Sequence, residues 1–247
     1  MRTSNPALST RVFERIAYIA DSSAVMTIAG TVNKTLALLL TTIVVASYTW
    51  GKALSWDPAS AIPWMMAGLF GGFIVALVTI FRPQAARWSA PLYAVCEGLF
   101  LGGISAVFEQ SYPGIAFQAV TLTFGTLMAL LLAYKSRLIQ PTAKFRLGVM
   151  AATGGIALFY FIALILNLFG VDVALIHQGG TYGILFSLFV VIIAALNLVL
   201  DFGFVEEGVA AHAPKYLEWY AAFGLLVTLV WLYLEILRLL SKLRSRR

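Results

Sequence analysis

From Val32 to Leu240 the chain is almost unbroken apolar text. A chain of this kind folds in a bilayer, where every backbone N–H and C=O must be satisfied within the protein and only α-helices or closed β-barrels succeed. Stretches such as TLMALLLA and FSLFVVIIAAL are continuously apolar rather than alternating, which selects helices over barrel strands. Hydrophobic residues make up 61% of the chain and charged residues 11%, far from the balance of a soluble domain. The 247 residues leave room for about six to eight helices of roughly 20 residues and for no second, soluble domain.

Windows of about 19 residues place seven spans near Asn33–Trp50, Ala61–Phe81, Pro91–Phe108, Gly114–Ala133, Leu147–Leu168, Tyr182–Leu200 and Trp219–Leu240. The connectors carry turn chemistry or charge: Asp57 and Pro58, Arg82 with Pro83, Tyr134–Arg146, Gly179 with Gly180, and Asp201–Glu218 with Pro214. Three parts follow. Residues 1–31 are a cytoplasmic N-terminal arm, 32–240 a seven-helix transmembrane domain, and 241–247 a basic tail. In the arm, Phe13, Ile16, Ala17 and Ala20 recur at helical spacing, as in an amphipathic helix lying on the membrane, with a mobile tail as the alternative. The arm lacks a small-residue cleavage site and is expected to stay uncleaved.

Lys and Arg counts set the orientation. Arg2, Arg11, Arg15, Lys34, Arg82, Arg87, Lys135, Arg137, Lys144, Arg146 and Lys215 fall on the N-terminal side, against Lys52 opposite, so the N-terminus is expected in the cytoplasm. Seven crossings then carry Arg238, Lys242, Arg244, Arg246 and Arg247 outside, against the same rule. Either the last helix enters and returns, or its neighbours insert it despite its tail; seven full spans are favoured because Trp219–Leu240 is long enough. The formal charge of +6 is explained by these topological residues, and no nucleic-acid motif is present. A bacterial inner membrane is the expected location, with a eukaryotic internal membrane as the alternative.

Three acids interrupt the apolar text: Glu97, Asp201 and Glu235. A carboxylate at bilayer depth costs about 2.5 to 3.5 kcal/mol on insertion scales, so it faces a bundle interior and marks an ion or proton site by default. Other chemistries find no support. The last span holds no lysine for a retinal Schiff base before Lys242, the histidines His177 and His212 fall in loops away from Ser105, and P-loop, HExxH and GxGxxG patterns are missing. A lone Cys96 forms no intrachain disulfide. No cofactor and no enzymatic step are expected.

Three segments carry a resemblance: LNLVLDFGFVEEG at Leu196–Gly208, LVWLYLEILRLLSKL at Leu229–Leu243 and FRPQAARWSAPLYAVCEGLFLGGIS at Phe81–Ser105. Together they resemble the Bax inhibitor (transmembrane Bax inhibitor motif) family, in its bacterial-type branch. The resemblance implies an all-α bundle of seven transmembrane helices around a central last helix, and a pH-sensitive calcium leak governed by acids on the sixth and seventh helices. Under it Asp201 matches the sixth-helix acid, Glu235 the acid of the last helix, Arg82 the base that latches the sixth-helix acid, and Glu97 the buried acid of the third helix. Two departures stand out. The family's pair is usually two aspartates, and Glu235 lies about 24 Å along the last helix from Trp219 at 1.5 Å per residue, whereas Asp201 is expected to end its own helix. Glu218 is therefore the geometric alternative to Glu235, with Glu206 and Glu207 as weaker ion ligands.

Two carboxylates within hydrogen-bond reach in a low dielectric do not both ionise easily, so such a pair titrates as a unit and serves as a proton switch. Protonation would release an Arg82–Asp201 bridge. Ca²⁺, a hard cation that takes carboxylate oxygens, would compete at Asp201 and Glu235. The duller alternatives are an interfacial helix end for Asp201 and an ion pair with Arg238 for Glu235. Three function classes stay open: a pH-gated calcium leak, a transporter using the acids as proton relays, and a non-conducting regulator acting on membrane-protein partners. The bilayer, protons and calcium ions are the expected partners.

Overall fold

A computed structural model describes residues 25–54, 58–170 and 180–246. The amphipathic helix expected around Phe13–Ala20 and the loop residues Asp57, His177 and Gly179 lie outside them. Seven helices follow in chain order: α1 Ile28–Ala53, α2 Ile62–Phe81, α3 Ala86–Ser111, α4 Ile115–Lys135, α5 Ala143–Leu168, α6 Thr181–Ala210 and α7 Leu217–Arg244. Each is long and apolar enough to cross a membrane, and among the described residues there is no strand.

Local chemistry sets the helix ends. The Thr27 hydroxyl caps α1 by accepting from the Gly30 amide at 3.0 Å, and Thr142 caps α5 in the same way through Phe145. Gly114, at φ 81°, turns the chain between α3 and α4, a conformation that favours glycine. The carboxylate of Glu109 accepts from the Gly114 and Ala116 amides and satisfies the start of α4.

Every span except α2 runs longer than the hydropathy windows indicate, and two differences matter. Helix α1 starts at Ile28, so residues 28–31 belong to the first span and not to the arm. Asp201 does not end its helix: α6 continues unbroken for nine residues beyond it to Ala210, because its polar last turns find partners on α4 and α5.

In lipid, helices gain little from burying apolar surface against one another, so close approach and polar contacts decide the packing. Small residues supply the approach. A Cβ on Gly102 of α3 would lie 2.2 Å from the Ala46 carbonyl oxygen of α1, and one on Gly68 of α2 would lie 2.5 Å from the Cys96 carbonyl oxygen of α3. Helix α3 is thereby wedged between α1 and α2. Helix α7 packs against α1, α3, α4 and α6 and is the most buried of the seven, with Leu226, Leu232 and Leu237 fully enclosed. It is the centre of the bundle. Helix α5 is peripheral and packs chiefly on α6.

Helix α7 is one continuous helix of 28 residues, about 42 Å at 1.5 Å per residue, so it does not enter and return. Its basic end is tied to the bundle. Lys242, 4% exposed, donates to the Gly183 carbonyl at 3.1 Å and the Ser187 hydroxyl at 2.9 Å, and Arg244 donates to the Pro113 carbonyl at 2.7 Å and to Gln118 at 3.0 Å.

Candidate functional site: acids in the bundle

Asp201 is carried by α6 at the level of Thr228 on α7, whose side chain is within hydrogen-bonding reach of the carboxylate. One carboxylate oxygen, Oδ2, is buried and has no hydrogen-bond partner among the described residues. Thr228 is the twelfth residue of α7 and Asp201 lies nine residues before the end of α6, so this contact sits deep between the two helices rather than at a headgroup surface.

The expected carboxylate pair is not formed. Glu218 and Glu235 lie on α7 on either side of Thr228, ten residues before it and seven after, or about 15 Å and about 10 Å along the axis. Asp201 stands between its two candidate partners and meets neither. Each glutamate is occupied elsewhere. Glu235, 2% exposed, accepts from Arg238 one turn on at 2.9 and 3.0 Å and from the Tyr160 hydroxyl of α5 at 3.0 and 3.2 Å. The alternative of an i, i+3 ion pair with Arg238 is therefore the arrangement found.

Glu218 has no exposed surface. Its Oε1 accepts from the Thr27 amide at 2.9 Å and the Thr27 hydroxyl at 2.8 Å and lies 3.2 Å from Lys215 Nζ, while Oε2 is paired with Lys34 of α1. A Cβ on Gly30 would come within 2.2 Å of Oε1, so glycine makes room for the carboxylate. Lys34, counted in the sequence among the cations that set orientation, is also the counterion of a buried acid. With the Met26 amide donating to Ala213 at 2.7 Å, this cluster fastens the start of α1 to the start of α7.

Arg82 is exposed at the end of α2 and forms no ion pair among the described residues. It does not latch Asp201, because the end of α2 lies at a bundle face while Asp201 is deep between α6 and α7. Glu97 lies in the middle of α3 with Tyr93 one turn behind it in hydrogen-bonding reach and Gly72 of α2 facing it; its Oε2 is buried and unpartnered among the described residues. Glu206 and Glu207 serve the last turns of α6: Glu206 accepts from the Tyr134 hydroxyl at 2.6 Å, and Glu207 forms a two-bond pair with Arg146.

The acids are thus dispersed, and among the described residues no group of three or more His, Cys, Asp or Glu side chains is placed to hold a metal ion. Asp201 and Glu235 do not share a calcium site. What the arrangement offers is two half-buried acids, Asp201 and Glu97, each with one buried carboxylate oxygen that has no partner among the described residues, at depths where a charge is costly. Thr228, Tyr160 and Thr27 are the partners that sequence reasoning passed over. Their only signal is a polar group inside a span, which many satisfied hydroxyls share.

A family model described as Bax inhibitor 1 like matches residues 5–245. No curated protein and no solved structure matches the chain. The matched stretch takes in every helix of the bundle, and the chain belongs to the Bax inhibitor 1-like family.

Proposed function

We propose that this integral membrane protein is a pH-sensitive calcium leak channel in which Asp201 is the proton-responsive group. The observation that carries this reading is the carboxylate of Asp201 between α6 and the central α7, with Thr228 as its neighbour and Oδ2 unpaired among the described residues. A carboxylate so placed has a costly charge, and gaining or losing it changes what the two helices hold between them. A proton therefore acts where α6 meets the central helix. The switch proposed is a single acid rather than a pair. Calcium is the ion that passes, not a resident cofactor, and the reading involves no enzymatic step. The location proposed is a bacterial inner membrane with the N-terminus in the cytoplasm.

Calcium entry into dye-loaded proteoliposomes, followed across the neutral pH range, tests the reading. The unmodified chain is expected to give a flux that varies with pH, and Asp201→Asn, which cannot ionise, a flux that does not. Glu235→Gln is expected to retain the pH response, since Glu235 is held by Arg238 and Tyr160. A pH response that survives in Asp201→Asn overturns the assigned switch; absence of any protein-dependent flux overturns the channel and leaves transport or regulation of membrane partners.

A further inference from the structure

A lateral groove of about 370 Å³ opens between α1 and α4, with α7 as its floor and α3 behind. That volume is in the range of sites for small organic ligands, about 300 to 1,000 Å³. Ser47 of α1 and Phe117 and Val120 of α4 stand at its exposed rim; Leu226, Leu229 and Val230 of α7, at 0, 4 and 8% exposure, line its base.

Every hydroxyl in the wall is already engaged by the protein. Thr42 donates to the Leu38 and Ala94 carbonyls at 3.0 and 3.2 Å, Ser47 to Ile43 at 2.9 Å and Thr123 to Ala119 at 2.8 Å, and Ser105 shares a 2.7 Å bond with Tyr233. Such a wall asks for no water, and an apolar cavity of this kind takes an apolar occupant.

Length and position identify which one. The groove follows α1 from Leu39 to Trp50, about 16 Å at 1.5 Å per residue, against about 15 Å for one leaflet of a 30 Å hydrocarbon core. It occupies the C-terminal half of α1 and the N-terminal half of α4, both in the leaflet away from the start of α1, and Trp50 stands at the headgroup end. We propose that this groove is a binding site for a single acyl chain of a phospholipid in that leaflet, which lies along α7 as part of the packed bundle. The chain touches the side of α7 formed by Leu226, Leu229 and Val230, while Thr228 turns to Asp201 on α6.

The test uses the full chain in vesicles of phosphatidylethanolamine and phosphatidylglycerol doped with a phosphatidylcholine bearing a mid-chain diazirine, irradiated and mapped by peptide mass spectrometry. The expected result is adducts on the groove floor at Leu229 and Val230, which are 4 and 8% exposed and line the groove, together with adducts on outward residues such as Phe73. Adducts confined to outward residues overturn the proposal. Ser47→Phe and Val120→Phe fill the groove from opposite walls and are expected to lower floor labelling about tenfold while Phe73 labelling holds. Floor labelling that persists in both variants also overturns it. No ion flux enters the measurement, so its result is separable from that of the channel reading.

Discussion

Glu218 and Lys34 are 184 residues apart in sequence, and no local pattern announces their pairing. Read alone, Lys34 is one more cation near the end of a span, and Glu218 one more acid at a helix entrance. The fold makes them unequal to their neighbours: Glu218 has no exposed side-chain surface and Lys34 is 19% exposed, whereas Lys215, the other cation on the same carboxylate, is 44% exposed. Removing one partner of a buried pair leaves a charge uncompensated and costs about 3 to 5 kcal/mol, while a partly exposed pair contributes about 0 to 1. Lys34→Met is therefore expected to lower thermal stability in detergent far more than Lys215→Met, by about 3 kcal/mol against less than about 1. Equal losses would mean that Lys34 is solvated and that Thr27 and Lys215 suffice. Asp201 shows the converse difficulty. Its place as an acid in apolar text is legible, but its neighbour is a threonine, which the search for a second acid passes over.

At the scale of helices, hydropathy located each span and misplaced its ends wherever polar turns are satisfied by another helix. The clearest case is α6, where FGFVEEGVA continues the helix because Tyr134 and Arg146 receive Glu206 and Glu207. Contacts between helices depend on positions no window resolves. Gly102 reads as a packing glycine; the Ala46 carbonyl 2.2 Å from its would-be Cβ belongs to helix backbone, which cannot swing aside. Gly102→Ala is expected to separate α1 from α3 and to cost at least about 2 kcal/mol in unfolding, beyond the 1 to 3 kcal/mol usual for overpacking if both helices stay rigid. A neutral result would show that α1 yields. Helix α5 is held differently. Arg146, Thr153 and Tyr160, spaced seven apart, bond to Glu207 and Asn197 of α6 and Glu235 of α7, whereas a Cβ on Gly148, Gly154 or Gly155 would meet nothing. Individual polar contacts between membrane helices are worth only about 0.6 kcal/mol on average, so three together hold this peripheral helix where one does not. The combined variant Arg146→Met, Thr153→Val, Tyr160→Phe is expected to raise hydrogen exchange across 143–168 while α3 and α7 stay protected; single changes are expected to leave α5 docked.

For the whole molecule, the conflict between seven spans and a basic tail is eased by the structure for three of the five cations, Arg238, Lys242 and Arg244, which are bonded within the bundle. The positive-inside rule concerns Lys and Arg in loops, where the charge is free to hold its side of the membrane. Lys242 is 4% exposed and bonded to Gly183 and Ser187 at the start of α6, and Arg244 is bonded to Pro113 and Gln118 at the turn into α4. These cations are spent on fastening the far end of the central helix, much as Lys34 and Glu218 fasten its near end. From sequence alone they are indistinguishable from topological cations, because the carbonyls that receive them lie on α6 and in the α3–α4 turn. A continuous α7 then places its last turn on the face opposite the start of α1, across an odd number of spans. With the N-terminus in the cytoplasm, as proposed, a cysteine introduced by Ser245→Cys, in a Cys96→Ala background, is expected to react with a membrane-impermeant maleimide from outside intact cells. A cysteine placed by Ser136→Cys, beyond α4 on the side of Lys135 and Arg137, is expected to react only in inverted vesicles. Reaction of both from the same side would require one helix not to cross. Were that helix α7, against which α1, α3, α4 and α6 pack, the outcome would remove the floor of the lipid groove and the neighbour of Asp201 together.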